Sequence, residues 1–226
     1  MSIVAPTLHK PMPALAGGSR LRCAAKSYKS AALGLARWQS PDVGYSFAMS
    51  LPGLSADQIA QAFDVACASW NAVCGIKLSR VANGGNIRAR GSRIDGSYGT
   101  LAYSYMPGDP SPMNDVLEQV FDTAEPWSQV WLQEVIAHEI GHSIGLDHNE
   151  SDKSALMYPY SSGSTIKPQR WDIEQAQARY GSPAPTTAPP PVTPPSVPPV
   201  QPDAWLNAVI RVDGFEYSVS VGRKPI

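Results

Sequence analysis

The sequence has little net charge and no long apolar segment, and each of these shortages excludes a class of protein. It also has few cysteines. Eighteen basic and 19 acidic residues leave a formal net charge of -1, without the strong positive field that nucleic-acid binding usually needs. No apolar run is long enough to cross a bilayer, so we expect no membrane span. The first residues contain no apolar block of the kind found in secretory signal peptides. What remains is a chain of 226 residues, enough to bury one substantial core.

The three cysteines cannot all pair within the chain, because their number is odd. Cys67 and Cys74 lie near the predicted end of a helix, so a disulfide between them requires the helix to end between the two residues. Two buried free thiols are the alternative. Cys23 lies apart from both, in the amino-terminal region.

Composition divides the chain into four regions. Residues 1–35 are rich in Ala, Gly, Pro and Ser, and residues 36–182 have the pattern of a globular domain. Residues 183–203 are rich in proline, which favours an extended linker of roughly 3.1 Å per residue. In residues 204–226, apolar and polar residues alternate on both sides of Asp213-Gly214, which predicts a β-hairpin. Because an isolated hairpin is marginally stable, we expect it to dock on the globular domain, on another copy or on an unknown partner.

The globular region combines strand and helix patterns. Ser55 and Gln58 form a capping box at the start of a helix that runs to about Asn71. Two further helices are predicted over 128–143 and 168–180, and short strands over 43–49, 76–81, 86–90 and 100–106. Strands interleaved with one helix and followed by others predict an α+β domain with a mixed sheet.

Three of the four histidines lie within residues 138–148. His138 and His142 are spaced so that a helix places both on one face, where their imidazoles can bind one zinc ion. We expect the opposite face to be anchored in the core and the metal-binding face to open to a cleft. Gly145 can adopt a positive φ, which would end the helix and return His148 as the third ligand. Three protein ligands leave a fourth position for water, as in catalytic zinc sites.

Glu139 follows the first of these histidines and is predicted to point toward the fourth position. Zinc lowers the pKa of its bound water to about 7, and a nearby carboxylate can take the proton as water attacks a carbonyl. The protonated carboxyl can then give that proton to the leaving amine. The pattern therefore predicts zinc-dependent hydrolysis of an amide bond. The alternative, histidines satisfied within a core helix, requires them to be concentrated here by chance.

This motif, followed by Ala155-Leu156-Met157-Tyr158-Pro159, resembles the metzincin proteases and among them the matrixins. The resemblance implies a mixed, mostly parallel twisted sheet, an active-site helix and a carboxyl-terminal helix in residues 36–182. It implies that Met157 forms an apolar Met-turn under the metal. Cleavage of internal peptide bonds of proteins, and an extracellular or secreted location, also follow from the resemblance.

The resemblance also suggests substrate-binding residues. Residues 99–107 are similar to the family's edge strand, which pairs with the substrate backbone, so Leu101 and Ala102 are predicted to contact substrate. Pro159 and Tyr160 occupy the segment that walls the S1′ pocket, the pocket for the side chain that follows the cleaved bond. The residues after Pro159 depart from the family pattern, so pocket specificity is not transferred.

Two further metal predictions come from the resemblance. Asp122 and Glu125 resemble acidic residues that bind a structural calcium ion, and a solvated acidic loop is the alternative. Val120 stands where matrixins have a histidine that helps to bind a second, structural zinc. We therefore expect one zinc ion.

Arg22-Cys23 resembles what remains of the matrixin propeptide motif, in which a cysteine thiolate closes the open position on zinc. Residues 1–35 are then a candidate short propeptide with Cys23 as its latency switch. A plain unpaired cysteine is the alternative, because the rest of that motif is absent.

The predicted function is a zinc-dependent endopeptidase that acts on proteins or peptides with Glu139 as general base. A zinc hydrolase of cell-wall or other amide bonds is the second hypothesis. The third is a non-catalytic binding module on the same scaffold, and Glu139 argues against it because such a module needs no general base.

Overall fold

The computed structural model describes residues 22–26, 36–108, 116–184, 206–212 and 215–221, with Cys23 the one described side chain in the first range. Contacts divide the chain into two compact units, Met1–Ala184 and Pro185–Ile226. The rest of the candidate propeptide, most of the proline-rich linker and the Asp213-Gly214 turn lie outside the described residues. No described helix has both the length and the apolar character that a membrane span requires.

Six strands of the first unit form one sheet: β1 (Arg22–Lys26), β2 (Asp42–Ala48), β3 (Lys77–Arg80), β4 (Ile87–Ser92), β5 (Thr100–Tyr105) and β6 (Leu117–Asp122). Their order across the sheet is β1-β5-β6-β4-β2-β3. The pairing of β5 with β6 is antiparallel, and the other four pairings are parallel. The prediction of an α+β domain with a mixed, mostly parallel sheet is confirmed, although neither β1 nor β6 was predicted as a strand.

The first unit also contains three described helices: α1 (Ala56–Asn71), α2 (Gln129–Ser143) and α3 (Arg170–Tyr180). Their bounds agree with the predicted ones because each helix has a polar residue at its start. Ser55 and Gln58 form the predicted capping box of α1, and the Ser128 side chain accepts a hydrogen bond from the Trp131 N–H at the start of α2. Such caps satisfy backbone N–H groups that have no partner inside the helix.

The core lies between the sheet and the packed pair α1 and α2. The indole N–H of Trp70, on α1, donates to the carbonyl of Ala137, on α2, at 2.9 Å. Helix α1 ends between Cys67 and Cys74, but both are buried free thiols, so the disulfide alternative is wrong. Burial raises the pKa of both thiols, which keeps them protonated and inert.

The second unit contains β7 (Leu206–Val212) and β8 (Phe215–Val221), which pair antiparallel. The backbone register places Leu206 opposite Val221, and Val212 opposite Phe215. Apolar residues therefore oppose apolar residues at both ends of the pair.

Candidate active site

Helix α2 carries the first two histidines on a face that is closed to solvent. His138 is 3% exposed, and Glu139 and His142 are fully buried. Strand β1 packs near this helix, and the sulfur of Cys23 lies within 4.8 Å of ligand atoms of His138 and Glu139. The predicted cleft is therefore largely closed in the described chain, and a pocket remains beside His138.

The three predicted zinc ligands converge. The Nε2 atoms of His138 and His142 lie 3.1 Å apart, and those of His142 and His148 are also 3.1 Å apart. Nδ1 of His138 lies 2.7 Å from the carbonyl oxygen of Leu156, and Nδ1 of His142 lies 2.7 Å from that of Leu146. A carbonyl can only accept, so in both rings Nδ1 carries the proton and Nε2 presents a lone pair to the centre.

This arrangement fits a tetrahedral zinc site. Zinc–nitrogen bonds of 2.0–2.1 Å at tetrahedral angles separate two ligand nitrogens by about 3.3 Å, close to the separations observed here. Burial lowers the pKa of His138 to about 3, and it also lowers the pKa of His142, so both rings are the neutral form that binds metals. Lone pairs facing one another across such distances repel unless a cation lies among them.

Gly145 supplies the turn that brings His148 to the other two histidines. Its φ is +97°, and the Gly145 and Leu146 N–H groups donate to the carbonyls of His142 and Gly141, which is a Schellman ending for α2. A Cβ atom on Gly145 would collide with the carbonyl oxygen of Ala36. The positive φ, which the sequence predicted, and the lack of space for a Cβ atom both require glycine at this position.

Glu139 lies beside the convergence point, completely buried. Burial raises its pKa to about 8, while the neighbouring Ser104 hydroxyl and Cys23 thiol act in the opposite direction. A cation bound by the histidines would favour the ionised carboxylate, so the position of Glu139, and not this pKa, makes it the candidate for proton transfer.

A buried polar group behind Glu139 was missed by the sequence reasoning. Ser104 and Gln119 are cross-strand partners on β5 and β6, and the Gln119 side-chain amide donates to the hydroxyl of Ser143 at 2.9 Å. Ser143 lies one turn after Glu139 on α2, so these four side chains form one fully buried group. Only the register between β5 and β6 brings them together, and no local pattern signals it.

Met157, which the resemblance predicts to form the Met-turn, lies against α2. Met157 is fully buried, and a Cβ atom on Gly141 would collide with its sulfur, so the turn packs directly against α2. Asp172 holds the turn in place: its carboxylate accepts from the N–H groups of Leu156 at 2.8 Å and Met157 at 3.1 Å. This anchoring role of Asp172 was also missed, because it links α3 to a distant loop.

Strand β1 runs along the outer side of β5, where the substrate was predicted to pair. Cys23 is in register with Ala102, and its N–H donates to the carbonyl of Pro159 at 3.1 Å. The predicted substrate-binding residues Leu101 and Ala102 are buried, and Tyr160 lines a pocket beside the histidines. The amino-terminal segment therefore lies between the two predicted walls of the substrate site.

The candidate calcium residues are not solvated, so the alternative of a solvated acidic loop is wrong. Asp122 is fully buried, and Glu125 is 1% exposed. The Asp122 carboxylate accepts from the N–H groups of Asp95, Gly96 and Ala124, and Asp95 was not among the predicted residues. One oxygen of Glu125, Oε2, is buried without a hydrogen-bond partner in the described chain.

The sequence predicted a single zinc ion, because Val120 stands where a ligand of a second zinc would be. Val120 is buried in the sheet. Among described residues, the only groups of three that could hold a metal are the three histidines and the set of Cys23, His138 and Glu139.

Comparison with known proteins gives one family. Residues 37–181 match the model of the matrixin peptidase family. Interstitial collagenase of Sus scrofa is 32% identical over 160 residues, which cover 64% of this chain and 33% of that protein. Interstitial collagenase of Bos taurus is 32% identical over 167 residues, 67% of this chain and 34% of that protein. Matrix metalloproteinase-20 of Homo sapiens is 28% identical over 161 residues, 64% of this chain and 32% of that protein. The chain thus spans about a third of the length of these curated relatives.

Proposed function

Because the chain belongs to the matrixin family, we propose that its residues 36–182 form a zinc-dependent endopeptidase that cleaves internal peptide bonds of proteins. The observation that carries the proposal is the convergence of three Nε2 atoms beside the buried carboxyl group of Glu139. The activities of the longer relatives are not transferred with it.

His138, His142 and His148 would hold the zinc ion through Nε2. When bound, zinc supplies a water of lowered pKa and polarises the carbonyl that is attacked. Glu139 accepts the proton of the attacking water and passes it to the nitrogen of the leaving amine. The carbonyls of Leu156 and Leu146 fix the tautomer and orientation of two of the imidazoles.

The substrate would take the place of β1. An extended peptide beside Leu101 and Ala102 would add a strand to β5, so that main-chain hydrogen bonds supply affinity for many sequences. The Pro159 carbonyl, which now accepts from Cys23, would accept from the substrate backbone.

Residues 1–35 would then be a propeptide, with Cys23 as the residue that keeps the enzyme latent. The support is the position of Cys23: its backbone pairs with both walls of the substrate site, and its sulfur lies beside His138 and Glu139. A thiolate is a good zinc ligand, and here it would exclude water from the fourth position.

Asp122 and Glu125 would hold a structural calcium ion. Calcium prefers carboxylate and carbonyl oxygens, and the unpartnered Oε2 of Glu125 is an available ligand atom. We further propose that the protein is exported to the cell exterior. Detection of the protein only inside intact cells would contradict export. We also propose that residues 183–203 form a linker and that residues 204–226 form a separate carboxyl-terminal hairpin.

The test is a comparison of Cys23→Ala with the double variant Cys23→Ala, Glu139→Ala. We expect the second substitution to lower kcat/KM on a casein-type substrate by about 10²- to 10⁴-fold, the usual contribution of a general acid–base. Metal analysis should still find one zinc per chain, and Glu174→Gln, an exposed change on α3, is the control.

The same assay with peptidoglycan as substrate separates the proposal from a cell-wall amide hydrolase. Turnover of peptidoglycan without any cleavage of protein would contradict the proposal. So would unchanged protein cleavage after loss of Glu139.

A further inference from the structure

A pocket opens beside His138, on the side where the Met-turn segment continues. Its lining comes from Cys23 of β1, from Glu134, Val135 and His138 of α2, and from several residues between Lys153 and Thr165. The free space at this site, counted together with its opening to solvent, is about 270 Å³. Cys23 forms part of the wall, so a substrate that takes the place of β1 would also change the shape of the pocket.

Glu134 places a carboxyl group in the wall of this pocket. The residue is 4% exposed, and its Oε1 accepts from the N–H of Ser162 at 2.9 Å and from the Ser162 hydroxyl at 3.1 Å. The other oxygen, Oε2, is buried without a hydrogen-bond partner in the described chain. One oxygen therefore anchors the loop that follows the Met-turn.

An unpaired buried carboxyl group is costly, so the unpartnered oxygen of Glu134 requires an explanation. Lys153 also lines the pocket, but it is exposed, and no ion pair of the described chain includes Glu134. The remaining lining is largely apolar or carries hydroxyl groups, which suits the aliphatic stem of a long side chain.

We propose that this pocket selects a lysine or arginine side chain at the position that follows the cleaved bond, and that Glu134 is the residue that recognises its charged end. The inference rests on the proposed endopeptidase function, since it assigns the pocket to the substrate. The aliphatic part of the side chain would pass Val135 and Tyr160, and its N–H groups would donate to Oε2 of Glu134. A leucine at the same position would leave that oxygen unpaired.

The experiment uses peptides identical except for Lys, Arg, Gln or Leu at the position after the cleaved bond. In the full chain carrying Cys23→Ala, we expect kcat/KM for Lys or Arg to exceed that for Leu by about ten-fold or more, as for a hydrogen bond to a charged group. Adding Glu134→Gln should remove most of this preference, because the amide still accepts from Ser162 but loses the charge. Glu174→Gln serves as the matched control.

A binding measurement makes the test independent of turnover. The same peptides are titrated into the chain carrying Cys23→Ala and Glu139→Ala, and the basic peptides should bind about ten-fold more tightly than the Leu peptide. Equal or tighter binding of the Leu peptide overturns the inference even if Glu134→Gln fails to fold. Cleavage without a basic preference overturns the pocket assignment alone, whereas absence of any protein or peptide cleavage overturns the proposed function.

Discussion

At the scale of single residues, the site depends on a glycine as much as on its ligands. The Schellman turn at Gly145 places His148 beside His142, and the turn has a φ of +97° that other residues adopt only with strain. The carbonyl of Ala36 fills the space where a side chain would begin. The spacing of the histidines is therefore useful only because a residue without a Cβ lies between them.

We expect Gly145→Ala to lower the free energy of unfolding. The backbone conformation alone would cost about 1–3 kcal/mol, and the collision with Ala36 should add to this loss. The same substitution should weaken zinc binding, because it displaces His148. Gly84→Ala is the matched control: its φ is +80°, but an added Cβ meets no atom within 4 Å. Urea denaturation and zinc titration of the two variants measure both effects. Equal losses in the two would show that the contact with Ala36 is unimportant.

At the scale of elements, short sequence patterns predicted the helices and turns that depend on neighbouring residues. The capping residues Ser55 and Ser128 and the spacing of His138 and His142 were sufficient to predict α1, α2 and the facing imidazoles. Strand β6 was missed because it is buried on both faces and shows no alternation, and β1 was missed because it is a strand only through its pairing with β5.

The same limit explains which site residues could not be predicted. Ser104, Glu134 and Asp172 act through partners that are distant in sequence, so no period or motif identifies them. The family match confirms the predicted matrixin class.

The pairing of β1 with β5 leads to a prediction about latency. If Cys23 closes the zinc site, Cys23→Ala should raise the activity of the full chain at least about ten-fold, which corresponds to about 1.4 kcal/mol of preference for the closed state. A thiol-reactive reagent that reaches Cys23 when β1 leaves the site should activate the wild-type chain and leave Cys23→Ala unchanged, because among the described cysteines only Cys23 lies beside His138 and Glu139. Equal activity and equal reagent response of the two chains would identify Cys23 as a plain core residue.

At the scale of the whole molecule, the acidic site at the end of β6 should couple stability to calcium. A calcium concentration 100 times the dissociation constant adds about 2.7 kcal/mol, which raises the melting temperature of a domain of this size by about 5–10 °C. Removal of calcium with a chelator should lower the melting temperature of the wild type by that amount.

The variant Asp122→Asn, Glu125→Gln should show no response to calcium. Glu118→Gln on the same strand is the control, since the Glu118 carboxylate is already paired with Arg90. A calcium response that persists in the double variant would place the ion elsewhere.

The division of the chain into two compact units predicts that the carboxyl-terminal part is separable. Every residue proposed for catalysis lies in Met1–Ala184, and β7 and β8 pair with each other in Pro185–Ile226. Deletion of 185–226 should therefore leave zinc content unchanged and kcat/KM on short peptides within about two-fold, because the two units are separate.

A two-stranded hairpin is marginally stable alone, so we expect it to bind a partner or another copy. The deletion should therefore reduce partner binding or self-association. Sedimentation measurements on the full and shortened chains test this. Unchanged self-association together with unchanged capture of binding partners would contradict the proposed docking of the hairpin. Loss of peptide cleavage would show that catalysis requires residues after Ala184.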